Sequence, residues 1–229
     1  MADSPIDPRW PKILSLSVHE FRTPMTVVSG YIRMLLKERA GALNDQQRRL
    51  LEEAEKSCGR LSALVSEVSE LSNLEAGTLT FNKHRTDVHT ALGQAVEQLP
   101  PLADREIAIA LDLGDDPVEI DGDPVRLAQA FTAILFALRR ELVMSDRVIV
   151  REHAATPAGP GSAIELRIGD EETLAAFDAD PDRPVFDEWR GGVGLSLVVA
   201  RRVIEAHGGT LTGAPGGRKT GAAITIARS

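Results

Sequence analysis

The sequence predicts an α+β protein in which a long antiparallel helical hairpin precedes a mixed layer of strands and helices. In the first 80 residues or so, apolar residues recur at alternating steps of 3 and 4, which is the heptad spacing of packed helices. After Gly77, short alternating apolar runs of the strand type occur between helical stretches. With 229 residues, 43 % of them apolar and 26 % charged, the chain is long enough for one or two globular domains.

Composition and charge exclude several functional classes. A net charge of −8 and 4 % aromatic residues disfavour a nucleic-acid partner. Cys58 is the only cysteine, so neither an intrachain disulfide nor a cysteine-based zinc site can form. Every apolar run is shorter than the roughly 18 residues that a membrane span needs, and the first residues lack the pattern of a signal peptide. We therefore expect a cytoplasmic location, no membrane span and no metal-binding residues.

Two rows of apolar residues at this heptad spacing, here called seams, predict the first two helices. After Pro5, Pro8 and Pro11, the first seam continues to a stop at Gly41, and the second begins at a capping box formed by Asn44 and Gln47. Gly77 is predicted to end the second helix. The seam positions are Leu14, Val18, Phe21, Met25, Val28, Ile32 and Leu35, then Leu50, Ala54, Ser57, Leu61, Leu64, Val68 and Leu71.

A single hairpin leaves apolar surface in water, so the seams imply a further partner. Pairing with a second copy would make a homodimeric four-helix bundle, and packing against the rest of the chain is the alternative. The seams extend over nearly the full length of both helices, which favours the dimer. We assign residues 9–78 to this dimerisation hairpin.

The second half is predicted to be a separate domain, residues 82–229. The predicted helices are 87–99, 124–142 with Asp123 as the cap, and 194–207, which Gly208 ends. The predicted strands are 107–113, 118–120, 148–150, 164–168, 210–212 and 222–227. Segment 156–162 is expected to be a turn-rich connection and 171–192 a loop, with its acidic part, 178–187, a solvated lid.

His19 lies in the segment of the first helix that departs most from an ordinary helical pattern. It follows the seam residue Val18, so its ring is expected to reach water, and Pro24 removes the donor for the carbonyl of Glu20, which should bend the helix. A neutral imidazole is a good nucleophile near pH 7. Glu20 can accept the proton of the second ring nitrogen, and Thr23 shares the face of His19 because it lies four residues further on.

The run His19-Glu20-Phe21-Arg22-Thr23-Pro24 resembles the phosphoacceptor box of two-component sensor histidine kinases, and the similarity continues through nearly the whole chain. The resemblance implies a homodimeric hairpin followed by an α/β sandwich of the histidine-kinase ATPase type. It implies that His19 exchanges a phosphoryl group with an aspartate in the receiver domain of a response regulator. By the same resemblance, Glu20 acts as the base and Thr23 serves phosphatase activity.

The nucleotide motifs of that family are only partly present. The start of the asparagine box is recognisable from Gly122 to Gln129, but Ala133 and Ala137 occupy the two asparagine positions. Because an alanine methyl cannot coordinate Mg²⁺, we predict against this metal. The basic residue of the box resembles Arg140, or Arg139 after a one-residue shift.

The remaining motifs imply an ATP site with incomplete parts. Asp170 matches the adenine-binding aspartate, but Glu172 and Leu174 replace the glycines that follow it in the family. Residues 185–189 resemble the phenylalanine box. The segment with Gly192, Gly194 and Leu195 resembles the glycine box, and the run 205–209 after it fits the family, with His207 interpreted as a residue at a helix end. The resemblance therefore implies ATP as a weakly bound cofactor.

Three functional hypotheses follow. The first is phosphoryl transfer through His19 with weak or lost autophosphorylation; the second is an active autokinase with divergent motifs; the third is a non-enzymatic scaffold that forms heterodimers with another kinase. Only 18 residues precede His19, which leaves no room for a sensor domain before it. The input would then come from another protein or from a part of the protein outside this sequence, although Met-Ala-Asp is typical of a natural start.

Overall fold

The computed structural model describes residues 10–154, 162–190 and 192–228. The chain forms two compact units, one ending at Leu79 and the other beginning at Thr80. The first is a helical hairpin and the second contains a five-stranded sheet with helices, which confirms the predicted α+β class. The functional assignments of residues 9–78 and 82–229 stay predictions.

The first unit consists of helix α1, Trp10–Leu36, and helix α2, Asp45–Glu75. The side chains of Val18 and Ile32 are buried between the helices, and Arg33 lies 3.4 Å from Glu55 of α2. Helix α1 continues through Pro24 without interruption, so the bend stays a prediction. Among the described residues, every helix is too short or too polar to cross a bilayer.

The joint between the helices differs from the prediction at one end. Helix α1 ends at Leu36, five residues before Gly41, because Glu38 takes a left-handed conformation with φ of 56°. Arg48 of α2 stabilises this turn by donating to the Glu38 carboxylate at 2.5 Å and to the Leu36 carbonyl at 3.5 Å. The capping box of Asn44 and Gln47 is confirmed, with both reciprocal hydrogen bonds present.

The second unit is built on a five-stranded sheet in the order β2-β4-β5-β7-β6. Strand β2 is parallel to β4, and the other pairs are antiparallel. Strands β1 and β3 form a separate antiparallel pair. The strands are β1 His84–Asp87, β2 Ala108–Asp112, β3 Glu119–Gly122, β4 Arg147–Ala154, β5 Ala163–Gly169, β6 Thr210–Gly213 and β7 Ala222–Ala227.

One face of the sheet carries the main core. The buried residues Val148, Val150, Leu166 and Ile168 alternate along β4 and β5, as expected for side chains that share a face. A layer of three helices shields this apolar face from water. The helices are α3 Val88–Glu97, α4 Pro124–Glu141 and α6 Ser196–Ala206, and α4 packs against both of the others.

The prediction of a loop over 171–192 is wrong at its start, because Glu171–Ala179 forms helix α5. Asp170 caps this helix. The buried residues Leu174 and Phe177 of α5 pack in one cluster with Ile149 and Ala223. Ile149 alternates with the core residues of β4, so α5 covers the opposite face of the sheet. Only three of the nine residues of α5 are buried, so its apolar spacing is too weak to be recognised as helical in the sequence.

The other predicted elements agree with the structure within a few residues. Asp123 caps α4, as expected, and Gly208 follows the end of α6. Strand β1 and a short 3₁₀ turn at Pro215–Gly217 were missed, since neither has an apolar alternation. Most of the predicted turn-rich connection 156–162 lies outside the described residues, and the predicted lid 178–187 contains the end of α5.

Candidate functional site

The imidazole of His19 lies on the exposed side of α1, as the position after Val18 predicts. Its side chain is 76 % exposed, whereas the Val18 side chain is buried in the hairpin. The Nδ1 atom of His19 lies 3.5 Å from Oε1 of Glu20. The carboxylate therefore faces one ring nitrogen, and the other, Nε2, remains available for chemistry.

Thr23 lies one helical turn from His19 on the same side of α1, and its side chain is exposed. Two neighbouring hydroxyls are held by the helix itself: Ser17 donates to the Ile13 carbonyl at 2.9 Å, and Thr26 donates to the Arg22 carbonyl at 2.8 Å. Within residues 10–154, the Thr23 hydroxyl makes no bond of this kind. It can therefore orient a water molecule near His19.

A cleft of about 310 Å³ lies beside this segment, between α1 and α2. Arg22 and Thr26 line this cleft. They lie three and seven residues after His19, so they share its face of the helix. The cleft exists because small side chains meet there. Its lining is Arg22, Met25, Thr26, Ser29, Gly30, Arg33, Ser62 and Val65.

Asp170, the predicted adenine contact, acts as the N-cap of α5. Its Oδ1 atom accepts a hydrogen bond from the Thr173 amide at 2.9 Å. It lines a shallow cleft of about 220 Å³ together with Asp146, Glu171 and Glu172, whose negative charges outnumber the positive charge of Arg147 in the same lining. Glu172 forms an exposed ion pair with Arg218 at 2.8 Å. This surrounding charge disfavours a phosphate group near Asp170.

The predicted phosphate-binding turn is present before α6. Gly192 and Gly194 have φ values of 83° and 64°, which glycine adopts readily. The guanidinium of Arg140 donates to the Gly192 carbonyl, and a Cβ atom at Gly192 would lie 2.7 Å from Arg140 Nη2. The end of the Arg140 side chain could move to admit a Cβ atom, so the positive φ is the stronger reason for glycine here. Leu195 precedes the first turn of α6, as expected.

The residues of the second unit at the metal-binding positions of the motif do not fit Mg²⁺. Ala133 and Ala137 lie on α4 at the two positions where the motif calls for asparagine, and a methyl group offers no oxygen ligand. Across residues 10–154, 162–190 and 192–228, no group of three or more histidine, cysteine or acidic residues could hold a metal ion. The structure therefore supports no step that uses Mg²⁺ at α4.

Comparison with known proteins shows what the chain resembles. Residues 13–77 match the His Kinase A (phospho-acceptor) domain. The sensor histidine kinase GacS of Pseudomonas protegens is 28 % identical over 210 residues, which cover 84 % of this chain. The signal transduction histidine-protein kinase BarA of Escherichia coli is 26 % identical over 207 residues, which cover 85 % of it. Residues 13–77 thus match a phospho-acceptor domain, and most of the chain is similar to two-component histidine kinases.

The chain covers only part of those relatives, since it spans 22 % of the length of GacS and of BarA. Two solved structures share its fold. ShkA, crystallised at full length with AMPPNP, matches 96 % of this chain and 46 % of its own, with a TM-score of 0.68 at 23 % identity. The Acinetobacter baumannii histidine kinase AdeS matches 92 % of this chain and 97 % of its own, with a TM-score of 0.55 at 19 % identity.

The histidine kinase fold brings only some of the predicted residues together. His19 and Glu20 are in contact, and so are Arg140 and Gly192. In the described part of the second unit, no hydrogen bond or ion pair joins Asp170 to either of these last two. Sequence reasoning missed Arg33 and Ser62, which line the cleft below His19 only because α1 and α2 pack against each other.

Proposed function

We propose that this chain transfers a phosphoryl group between His19 and an aspartate of a response-regulator receiver domain. The observation that carries the proposal is the exposed imidazole with Glu20 facing Nδ1, because this arrangement leaves Nε2 as a free nucleophile. The match of residues 13–77 to the His Kinase A (phospho-acceptor) domain supports the same assignment.

The transfer step requires only groups that this site and its partner supply. The Nε2 atom of His19 attacks the phosphorus of an aspartyl phosphate; the bond between phosphorus and the carboxyl oxygen breaks, and a P–N bond forms. The aspartate leaves as a carboxylate, and the proton on Nδ1 passes to Glu20. Transfer in the opposite direction reverses each of these events. Glu20 also stabilises the positive charge that develops on the imidazole.

The receiver domain is proposed to dock on the cleft between α1 and α2. The cleft adjoins His19 and presents two guanidinium groups, those of Arg22 and Arg33. An aspartyl phosphate and the acidic residues that hold it are negatively charged, so these arginines favour the approach.

The hairpin is proposed to act as a homodimer. Several seam residues remain exposed in the single hairpin: Phe21 is 60 % exposed, Leu61 is 52 % and Val28 is 48 %. Burial of this apolar surface against a second copy gives the four-helix bundle. No observation supports the alternative of a heterodimer with another kinase.

We infer that the second unit binds ATP weakly and that autophosphorylation is weak or absent. ShkA was crystallised with AMPPNP, and the likeness in fold supports a nucleotide site here. Arg140 and the turn at Gly192 and Gly194 are suited to phosphate. Phosphoryl transfer from a nucleotide depends on a metal that neutralises the phosphates, and the alanines of α4 offer no ligand for it.

A phosphatase activity toward the phosphorylated regulator is a second candidate. It is favoured by the Thr23 hydroxyl, which no helix carbonyl engages within the described hairpin, in contrast to those of Ser17 and Thr26. Thr23→Ala is expected to slow the loss of phosphate from the regulator while transfer to His19 continues.

The experiment that tests the main proposal starts from a receiver domain labelled with ³²P on its aspartate. The intact chain should acquire acid-labile label, and His19→Ala should acquire none, while the matched variant His84→Ala labels normally. Glu20→Gln should slow labelling by about a hundredfold, which is typical of a lost general base. Labelling that survives in His19→Ala would contradict the proposal.

A parallel reaction with γ-labelled ATP separates the three hypotheses. Weak or absent labelling of a chain that does accept label from the receiver supports the transfer protein. Rapid labelling of His19 from ATP would establish the active autokinase instead. A chain that takes label from neither donor, yet still pairs with another kinase, would be the scaffold.

A further inference from the structure

A third cleft, separate from the clefts near His19 and Asp170, lies in the α/β unit beside the end of helix α4. Its volume is about 430 Å³, within the range of small-molecule sites. The segment 101–108, which leads into edge strand β2, forms one wall, and Arg139 of α4 forms another. Arg105 lines the same cleft, so two guanidinium groups share it.

The charge of Arg139 is buried without an acidic partner. Its exposure is 8 %, and among the described residues it forms no ion pair. One Nη donates to the Pro100 carbonyl, while the Nε atom has no hydrogen-bond partner in those same ranges. Burial lowers the pKa of this guanidinium, and no carboxylate acts to raise it. The face of Phe136, 5.8 Å away, is the main electrostatic support that remains.

Arg105 repeats the same pattern from the opposite wall. Its Nη2 atom donates to the Arg140 carbonyl at 2.7 Å, but its Nε atom is buried and has no partner in the described chain. Two guanidinium groups at one cleft without acidic partners among the described residues are unfavourable, because each buried Nε donor has lost its hydration and the like charges repel. An anion in the cleft would be attracted by both positive charges, although the buried Nε atoms themselves are out of its reach.

We propose that this cleft binds the oxyanion group, carboxylate or phosphate, of a small organic anion. The two arginines attract such a group, and Leu102 and Ile107 give the wall apolar surface. Glu106 also lines the cleft, and its exposed carboxylate opposes the two positive charges only in part. The volume exceeds what a single inorganic ion needs, which favours an organic acid or phosphate ester. The site involves neither His19 nor the Gly192 turn.

The test measures thermal unfolding of the intact chain with inorganic phosphate or succinate, each at constant ionic strength against chloride. We expect the Tm to rise with probe concentration, since a ligand of the folded state stabilises it. Arg139→Leu should raise the Tm without any probe, because an unpaired charge is removed, and should weaken the response to the probe at least about tenfold. Arg85→Leu, an equal charge change on exposed β1, should respond as the parent does.

A second variant and a spectroscopic signal keep the test decisive if Arg139→Leu fails to fold. Arg105→Gln should also lose the response, and the Nε–H signals of Arg105 and Arg139 should shift in ¹H–¹⁵N spectra while that of Arg85 stays in place. A response to succinate alone identifies a carboxylate ligand, and a response to phosphate alone identifies a phosphate ester. Equal responses in the parent and in both cleft variants would overturn the proposal.

Discussion

At the scale of single residues, His207 shows how a histidine beside a family motif can be purely structural. The sequence places it at a helix end, and there its Nδ1–H donates to the Val203 carbonyl at 2.7 Å. Its Nε2 atom accepts a hydrogen bond from the Asp123 amide at 3.0 Å, which fixes the neutral ring. Burial lowers the pKa of His207 below its ordinary value of 6.5, and this effect outweighs the hydrogen bond to Val203, which raises the pKa. Lys83 lowers the pKa further, against Asp123 and Asp121.

The lowered pKa of His207 predicts a loss of stability in acid. Above about pH 6.5 the ring is neutral in both states, and its contribution is fully present. As the pH falls below 6.5, the unfolded chain binds a proton that the folded chain resists, so the free energy of unfolding decreases. Urea titrations between pH 7.5 and 5.5 should show this decrease.

The variant His207→Gln should reduce that pH dependence, whereas His84→Gln should keep it, because His84 is exposed. His207→Gln should also cost about 1–3 kcal/mol at pH 7.5, since the Asp123 amide loses its acceptor. Parallel pH profiles for His207→Gln and the parent chain would contradict this role of His207.

At the scale of elements, α5 shows where local sequence is insufficient. Segment 171–179 is acidic and has no regular apolar spacing, yet it forms a helix that Thr173 anchors to the sheet. Thr173 is buried against Gly169 and Gly221, and its hydroxyl lies 3.1 Å from that of Thr220. The contact with Thr220 joins residues 47 positions apart in the chain, and Gly221 is similarly distant in sequence, so no local pattern could reveal these two contacts.

The close packing of Thr173 against Gly221 predicts that a larger residue at position 221 destabilises the fold. A Cβ atom there would lie 2.3 Å from Thr173 Cγ2 and 3.0 Å from the Ile168 carbonyl oxygen. Gly221→Ala should therefore lower the free energy of unfolding by about 1–3 kcal/mol. Gly93→Ala is the matched control: nothing lies within 4 Å of a Cβ there, and helix α3 should gain about 0.4–1 kcal/mol. Urea denaturation measures both, and an unchanged Gly221→Ala would exclude the close packing.

At the scale of the whole molecule, the sequence predicts the order of most elements because heptad seams and strand alternation are local signals. It also predicts the contact of His19 with Glu20, since adjacency in the chain places them together. The cleft below His19 and the paired guanidiniums of Arg105 and Arg139 were not predictable in this way. They arise where segments distant in sequence pack side by side.

The exposed seam of the hairpin predicts self-association of the intact chain. Phe21→Asp and Leu61→Asp each place a charge on the apolar surface, which is expected to weaken dimerisation by several kcal/mol. Val125→Asp provides the control, because Val125 is 62 % exposed in the other unit. Sedimentation equilibrium should give a dimer for the parent chain and the control and a monomer for the two seam variants. A monomeric parent chain would refute the four-helix bundle.

The central claim is that Nε2 of His19 carries the phosphoryl group, and ³¹P NMR of the intact chain after reaction with a phosphorylated receiver domain tests it most directly. The account predicts one phosphohistidine resonance of the Nε2-linked type, absent from His19→Ala. A resonance of the Nδ1-linked type, or no phosphohistidine in the parent chain, would contradict it.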